Sequence, residues 1–346
     1  MPHKNETSEQ EKSRVGGDLV KKCQACSGDQ FIKLYSVEDT NQFVEGKWSI
    51  EQCRNCKLGR LTPFPSPNEV SSFYTDVFYD VSGKRFRPFV EHLRLFFAGL
   101  RGRTLNKICA QKGRILDFGS GAGNFSKAME KQGWQVTNLD PYSSSSENSK
   151  LAETVNGRII FQSANNTFDV VTLWYVIEHL WDPSSAIAEF NKVLKPNGIL
   201  VLSQQDFSSV QANLFKASWL FLDPPRHLFQ FSQQNLELIA KRHGFETIKV
   251  THSSLEMGPF TILQSMLNIL LGNYNFLFRF LKSKKLKSPT SKISAFRNSV
   301  STLISIILLP VLGTFAFLAY VILVSFGSGD IFTLYLRKVD DAHCGR

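Results

Sequence analysis

Three groups of residues in this chain have types and spacings that could carry chemistry. The first is Asp117, Gly119, Ser120, Gly121 and Gly123, an acid followed by alternating glycines within RILDFGSGAGNF. Glycine lets a backbone turn sharply and come close to a ligand, because no Cβ blocks the approach. The second group is two histidines: His179 beside Glu178 in WYVIEH, and His227 beside Arg226 in DPPRHLFQFS. Histidine titrates near neutrality and an adjacent carboxylate can tune it, so either could remove a proton from an attacking group. The alternative is that each one fixes or bridges its own loop. Two prolines stiffen the turn that carries His227, which makes it a good mount for a reactive group. The third group is Cys23, Cys26, Cys53 and Cys56, two C-x-x-C pairs one hairpin apart. Two such knuckles let four thiolates converge on one ion.

The glycines are preceded by Ile115, Leu116 and Phe118, which predict a buried parallel strand, then a tight turn and a helix start. That layout would set a ligand at the carboxyl edge of a sheet. A dinucleotide site wants G-x-G-x-x-G, whereas here the third glycine comes one residue early and Asp117 stands at the strand end. The carboxylate would repel a pyrophosphate and attract an ammonium, which points to S-adenosylmethionine. Residues 134–139 (WQVTNL) read as a second strand ending on Asp140, where ribose hydroxyls can donate to a carboxylate.

At this point the chain resembles the class I S-adenosylmethionine-dependent methyltransferases. Leu116, Asp117, Gly119, Gly121 and Gly123 match that family's first motif, residues 168–183 look like its fourth strand and following loop, and residues 193–203 like its fifth. The resemblance implies an α/β fold: a Rossmann-like sheet with helices on both faces. It also implies S-adenosylmethionine held by Asp117, Gly119, Ser120, Gly121, Gly123, Asp140 and Trp174, with His227 and His179 facing the cleft. Trp174 and Tyr175 would offer aromatic faces to a cation. Many relatives carry an acid after the third strand, expected here at 157–163. In its place stand Ala164, Asn165 and Asn166, so an adenine contact is expected from an amide or from backbone.

Around this core the boundaries fall as follows. Residues 1–19 are polar, with no apolar export segment, and read as a disordered tail; folding in a reducing cytoplasm is expected. There the cysteines of residues 20–62 favour a structural zinc ribbon over disulfides or a redox pair, with iron open as the metal. Residues 63–112 hold a proline-punctuated linker and covering helices, in which Arg85, Arg87, Arg94, Arg101 and Arg103 read as a solvated face or one that meets an anionic membrane. The methyltransferase-like core runs over 113–259, an apolar and basic insertion over 260–328, and a last strand and tail over 329–346.

The insertion raises the question of a membrane. Residues 260–281 and 303–326 are long apolar segments, separated by a basic linker with Lys282, Lys284, Lys285, Lys287, Lys292 and Arg297 and no acid. Residues 329–338 look like a sheet strand antiparallel to 245–251, so the chain must return to the sheet it left. A single span is excluded, and a monotopic or re-entrant helical pair on the cytoplasmic face is expected. A soluble cap or a dimer interface would use the same segments. The net charge of +10 agrees with an anionic surface. Nucleic acid is the weaker partner, because the basic cluster lies beside apolar helices and not beside the ribbon. The function expected is methyl transfer to a small molecule, sugar, nucleotide-linked sugar or lipid-linked substrate. The rivals are an inactive membrane scaffold and a nucleic-acid methyltransferase guided by the ribbon. Oligomeric state is not written in the sequence.

Overall fold

The structure, a computed structural model, describes residues 21–41, 44–73, 88–140, 151–162, 164–252, 254–281 and 292–339. The expected disordered tail, Arg85, Arg87, the first four lysines of the basic linker and the C-terminal tail beyond residue 339 lie outside the described residues. Three antiparallel strands come first: β1 (Phe31–Val37), β2 (Trp48–Cys53) and β3 (Gly59–Thr62). A short helix, α1 (Pro67–Ser72), starts on a proline and is closed by a capping box between Ser66 and Glu69. One long helix, α2 (Pro88–Ile108), then lays Ala98, Gly102 and Leu105 inward.

The central layer is built from β4 (Arg114–Phe118), α3 (Asn124–Glu130), β5 (Gln135–Leu139), a hairpin of β6 (Ala152–Val155) and β7 (Arg158–Phe161), and β8 (Phe168–Trp174). It continues through α4 (Pro183–Val193), β9 (Leu194–Gln205), α5 (Val210–Phe215), β10 (Phe229–Gln230), α6 (Gln233–Arg242) and β11 (Phe245–Thr251). After α7 (Gly258–Leu271), α8 (Phe276–Leu281) and α9 (Lys292–Ser325), β12 (Ile331–Lys338) returns to the sheet. The order is β11-β12-β9-β8-β4-β5, with β12 antiparallel to both its neighbours. Val170, Val171, Leu173 and residues 199–202 form near-continuous apolar runs because helices cover both faces of these strands. This is the Rossmann-like α/β sheet that the sequence predicts, and the last strand pairs beside residues 245–251 as expected.

One local expectation differs. Of the third strand expected at 157–163, the described residues do not join the sheet: Arg158–Phe161 pairs antiparallel with Ala152–Val155 in a separate hairpin. Its turn, Asn156-Gly157, has both residues at positive φ, a combination that favours a tight hairpin over a crossover.

The ribbon sheet borrows a strand from the core, since β10 pairs with β3 to give the order β1-β2-β3-β10. The insertion divides by burial. Helix α7 packs inward with Thr261, Ile262, Leu263, Gln264, Leu267 and Asn268 buried. Helix α9 runs unbroken through Pro310 and touches α7 along Ala316 and Tyr320. Its segment Leu303–Ser325 has a mean hydropathy of 2.6 but only 11% of it is buried. Among the described residues this is one helix long and apolar enough to cross a membrane. Asn268, Asn273, Asn275 and Arg279 belong to a buried hydrogen-bond network that ties residues 260–281 to the protein.

Candidate active site

The carboxyl edge of β4 turns through Gly119, Gly121 and Gly123, all at positive φ (+72°, +54° and +68°), where side chains other than glycine are strained. A Cβ on Gly119 would lie 2.4 Å from Val176 Cγ2, so the loops after β4 and β8 close on each other only because that side chain is missing. A Cβ on Gly123 would stand in open space. Beneath the loop, Asp117 is 2% exposed. Ser126 Oγ donates to one of its oxygens at 2.6 Å and Thr172 Oγ1 to the other at 2.9 Å. Burial pushes its pKa up to about 6 against the pull of those hydroxyls. The carboxylate is thus the floor of the loop and lies deeper than its place at a strand end suggests. Asp140, at the end of β5, is buried to 8% exposure.

Across the same edge, β8 ends on Trp174 and passes through Tyr175, at φ +59°, into a single 3₁₀ turn, Ile177–His179. This turn and the proline-stiffened loop bring the two histidines together, with ring centroids 4.7 Å apart and edge to face. His179 Nδ1 lies 3.0 Å from the Arg226 carbonyl, and His227 Nδ1 lies 2.7 Å from the Phe221 carbonyl. A carbonyl only accepts, so each Nδ1 donates and each Nε2 is left as an acceptor. His227 Nε2 stands 3.8 Å from Glu178 Oε1 and 4.0 Å from Asp223 Oδ2. Burial lowers both histidines, His179 to about 3, which keeps them neutral and able to take a proton. Glu178 is fully buried, and burial pushes it up to about 8 against the pull of Gln205. Ligand atoms of Glu178, His179 and His227 lie within 4.8 Å of one another, close enough to share a proton or a cation. Beside them is a cavity of about 420 Å³ whose lining includes His227, Asp223, Gln205, Phe89, Phe260 and Phe278.

Residues 89–250 match the methyltransferase domain family. The match spans just under half of the chain and marks this stretch as a methyltransferase domain. It is 26% identical over 228 residues to the ubiquinone biosynthesis O-methyltransferase of Rhodopseudomonas palustris, covering 58% of this chain and 88% of that protein. Against the mitochondrial ubiquinone biosynthesis O-methyltransferase of Schizosaccharomyces pombe the identity is 33% over 183 residues, covering 49% of this chain. The match spans 64% of the S. pombe protein, just under two thirds of its length. A solved structure of the Burkholderia thailandensis 1,6-didemethyltoxoflavin-N1-methyltransferase aligns with a TM-score of 0.41 at 12% identity, over 86% of this chain and 99% of that one.

The methyltransferase domain takes S-adenosylmethionine, and the glycine loop fits it, since three positive-φ glycines bring bare backbone to the carboxyl edge of the sheet above the buried Asp117. Gly119, Ser120, Gly121 and Gly123 would hold the cofactor over Asp117, with Asp140 at the next strand end. When bound, S-adenosylmethionine supplies an electrophilic methyl group on sulfur. At the end of β8, Phe125 packs on Trp174 with ring centroids 5.0 Å apart, and the Arg101 guanidinium lies 4.9 Å from the Trp174 ring. Arg101 also pairs with Glu256 at 3.3 Å, and so belongs to the site and not to a solvated face. Asn165 and Asn166 precede β8 and stand at its amino-terminal end, where Lys338 Nζ donates to Asn166. That edge is opposite the glycine loop, so they are not placed to meet adenine.

In the ribbon, Cys23 and Cys56 sulfurs are 3.4 Å apart, Cys26 and Cys53 sulfurs 3.5 Å, and all four lie within 4.8 Å. Tetrahedral zinc with bonds of about 2.3 Å holds its sulfurs about 3.8 Å apart, so the set fits. The knuckles repeat one geometry: Ser27 and Lys57, each following the second cysteine, adopt φ +60° and +64°. Cys56 donates a hydrogen bond that lowers Cys23 to about 5, which makes a thiolate available.

Proposed function

We propose that this methyltransferase acts on a hydroxyl group of a small molecule with an apolar body, and that His227 is the base. The observation that carries this reading is the cavity of about 420 Å³, in which phenylalanines, leucines and Met257 surround His227, Asp223 and Gln205. A bare sugar or nucleotide-sugar has more hydroxyls than the few polar groups of this lining can pair, and each one left against the apolar walls costs about 1–3 kcal/mol. Both curated relatives are O-methyltransferases by name, which supports oxygen as the nucleophile. The chain's part in the reaction is to orient the hydroxyl, exclude water from it and accept its proton at His227 Nε2. His179 buttresses the His227 ring from its edge. With a series of alkylphenols, labelled methyl should appear on the phenolic oxygen and KM should fall as the chain lengthens. Flat KM values, or better turnover of sugars, would overturn the reading.

The four-cysteine site is read as structural zinc, tying together a module too small for a core of its own. Metal analysis should find about one zinc per chain; intact disulfides in its place would refute this. Helix α9 is read as the part that meets the cytoplasmic face of a membrane. Ile306, Ile307, Phe317 and Ile322 are each about half exposed or more, and burying one such side chain gains about 1.5–3 kcal/mol. The protein should sediment with anionic vesicles and resist release by salt, whereas Ile307→Lys with Ile322→Lys should free it. A dimer that ignores vesicles would assign the face to a second copy instead.

A further inference from the structure

We propose that the ribbon is a working part of the methyl-transfer site: its Asn41 accepts a hydrogen bond from a second donor group on the substrate, and its Asp39 positions the His227 turn. The proposal rests on the cavity beside His227 being the substrate pocket.

Residues 39–41 follow β1 and reach across to the loop that carries His227. The Asp39 side chain is 1% exposed and the Arg226 side chain 0% exposed, and they meet at 2.6 Å. A second guanidinium nitrogen reaches Asp39 at 3.2 Å, and the backbone N–H groups of Asn41 and Val44 donate to the same carboxylate at 2.8 and 2.9 Å. The other edge of Arg226 donates to Asp223, with Nε at 3.1 Å. One buried arginine therefore joins a ribbon carboxylate to the residue facing His227, while its own carbonyl receives His179. A planar guanidinium held on two edges fixes the turn in a way that a point charge would not.

Asn41 carries the recognition argument. Its Nδ2 donates to Asp223 Oδ1 at 2.5 Å, and because a carboxylate only accepts, the other amide atom must be the oxygen. That oxygen is buried and has no hydrogen-bond partner. Asn41 is 4% exposed and lines the same cavity as His227. A buried acceptor left unpaired is costly, and a ligand donor satisfies it. The loop is also held from its far side, where Asn275 donates to Thr40 Oγ1 at 2.8 Å and Arg279 to the Thr40 carbonyl at 2.9 Å. Asn41 is thus presented on a rigid mount.

The test uses two probes, a long-chain alkylphenol and the same compound with a second ring hydroxyl. The wild-type protein should prefer the second, and Asn41→Ala should cut that ratio of kcat/KM about tenfold. Asp39→Asn should lower kcat while S-adenosylmethionine affinity by calorimetry holds; Arg226→Lys, which keeps the charge but not the fork, should do the same. A ratio that Asn41→Ala leaves intact, with kcat unmoved in both other variants, would overturn the proposal. His227→Ala separates the two ideas: lost turnover there with no effect at Asn41 sinks the ribbon's role alone, and retained turnover sinks the base assignment.

Discussion

His227→Ala will lower turnover by about 10²-fold or more while leaving S-adenosylmethionine affinity near its starting value. The expectation follows from placement. His227 lines the cavity, its Nδ1 is committed to the Phe221 carbonyl, and its Nε2 is the acceptor left over. No part of the ring belongs to the glycine loop, so cofactor binding and proton removal are separable. Burial is the largest influence on His227 and lowers its pKa; Arg226 also lowers it, while Asp223 and the hydrogen bond to Phe221 raise it. A base with a lowered pKa stays unprotonated to lower pH. The wild-type kcat/KM should therefore stay level as pH falls through 6.5, the ordinary histidine value, and drop only below it. Equal losses in turnover and cofactor affinity would make His227 structural. An acid limb centred above 6.5 would remove it as the base.

Gly119→Val will abolish S-adenosylmethionine binding in a protein that stays folded. Two costs coincide at this position. A β-branched residue at φ +72° is strained by about 1–3 kcal/mol. Its Cβ would also stand 2.4 Å from Val176, and such overpacking costs about 1–3 kcal/mol more unless a loop moves. The backbone that moves is the backbone that would hold the cofactor. Gly123→Ala is the control: it shares the positive φ but its Cβ would meet open space, so it should weaken binding far less. Calorimetry for affinity, with circular dichroism for the fold, checks both variants. Unchanged affinity in Gly119→Val would remove the loop from the cofactor site.

Much of this is local and therefore legible in the chain. An apolar run ending on Asp117 and three spaced glycines specifies a strand, a turn and a close backbone approach, because φ preference and strand burial act over a few residues. Paired C-x-x-C knuckles announce a four-sulfur site for the same reason, and the alternation of residues 245–251 shows a strand awaiting a partner. The two histidines were visible as types, and each as part of a motif. Their meeting at 4.7 Å was not, since it depends on two loops that come before and after β9 in the chain.

Tertiary structure alone decided the remainder. Arg101 reads as one more arginine on a helix until Trp174 and Glu256 come beside it. Asp39 and Asn41 carry no motif, and Asn41 finds Asp223 across 182 residues, a distance over which no periodicity operates. The two apolar stretches of the insertion resemble each other in composition, yet α7 is buried and α9 is not. The difference lies in the polar residues. Gln264, Asn268 and Asn275 satisfy one another inside the protein, which anchors α7 there, whereas the exposed side chains described on α9 are mostly apolar ones that gain by leaving water.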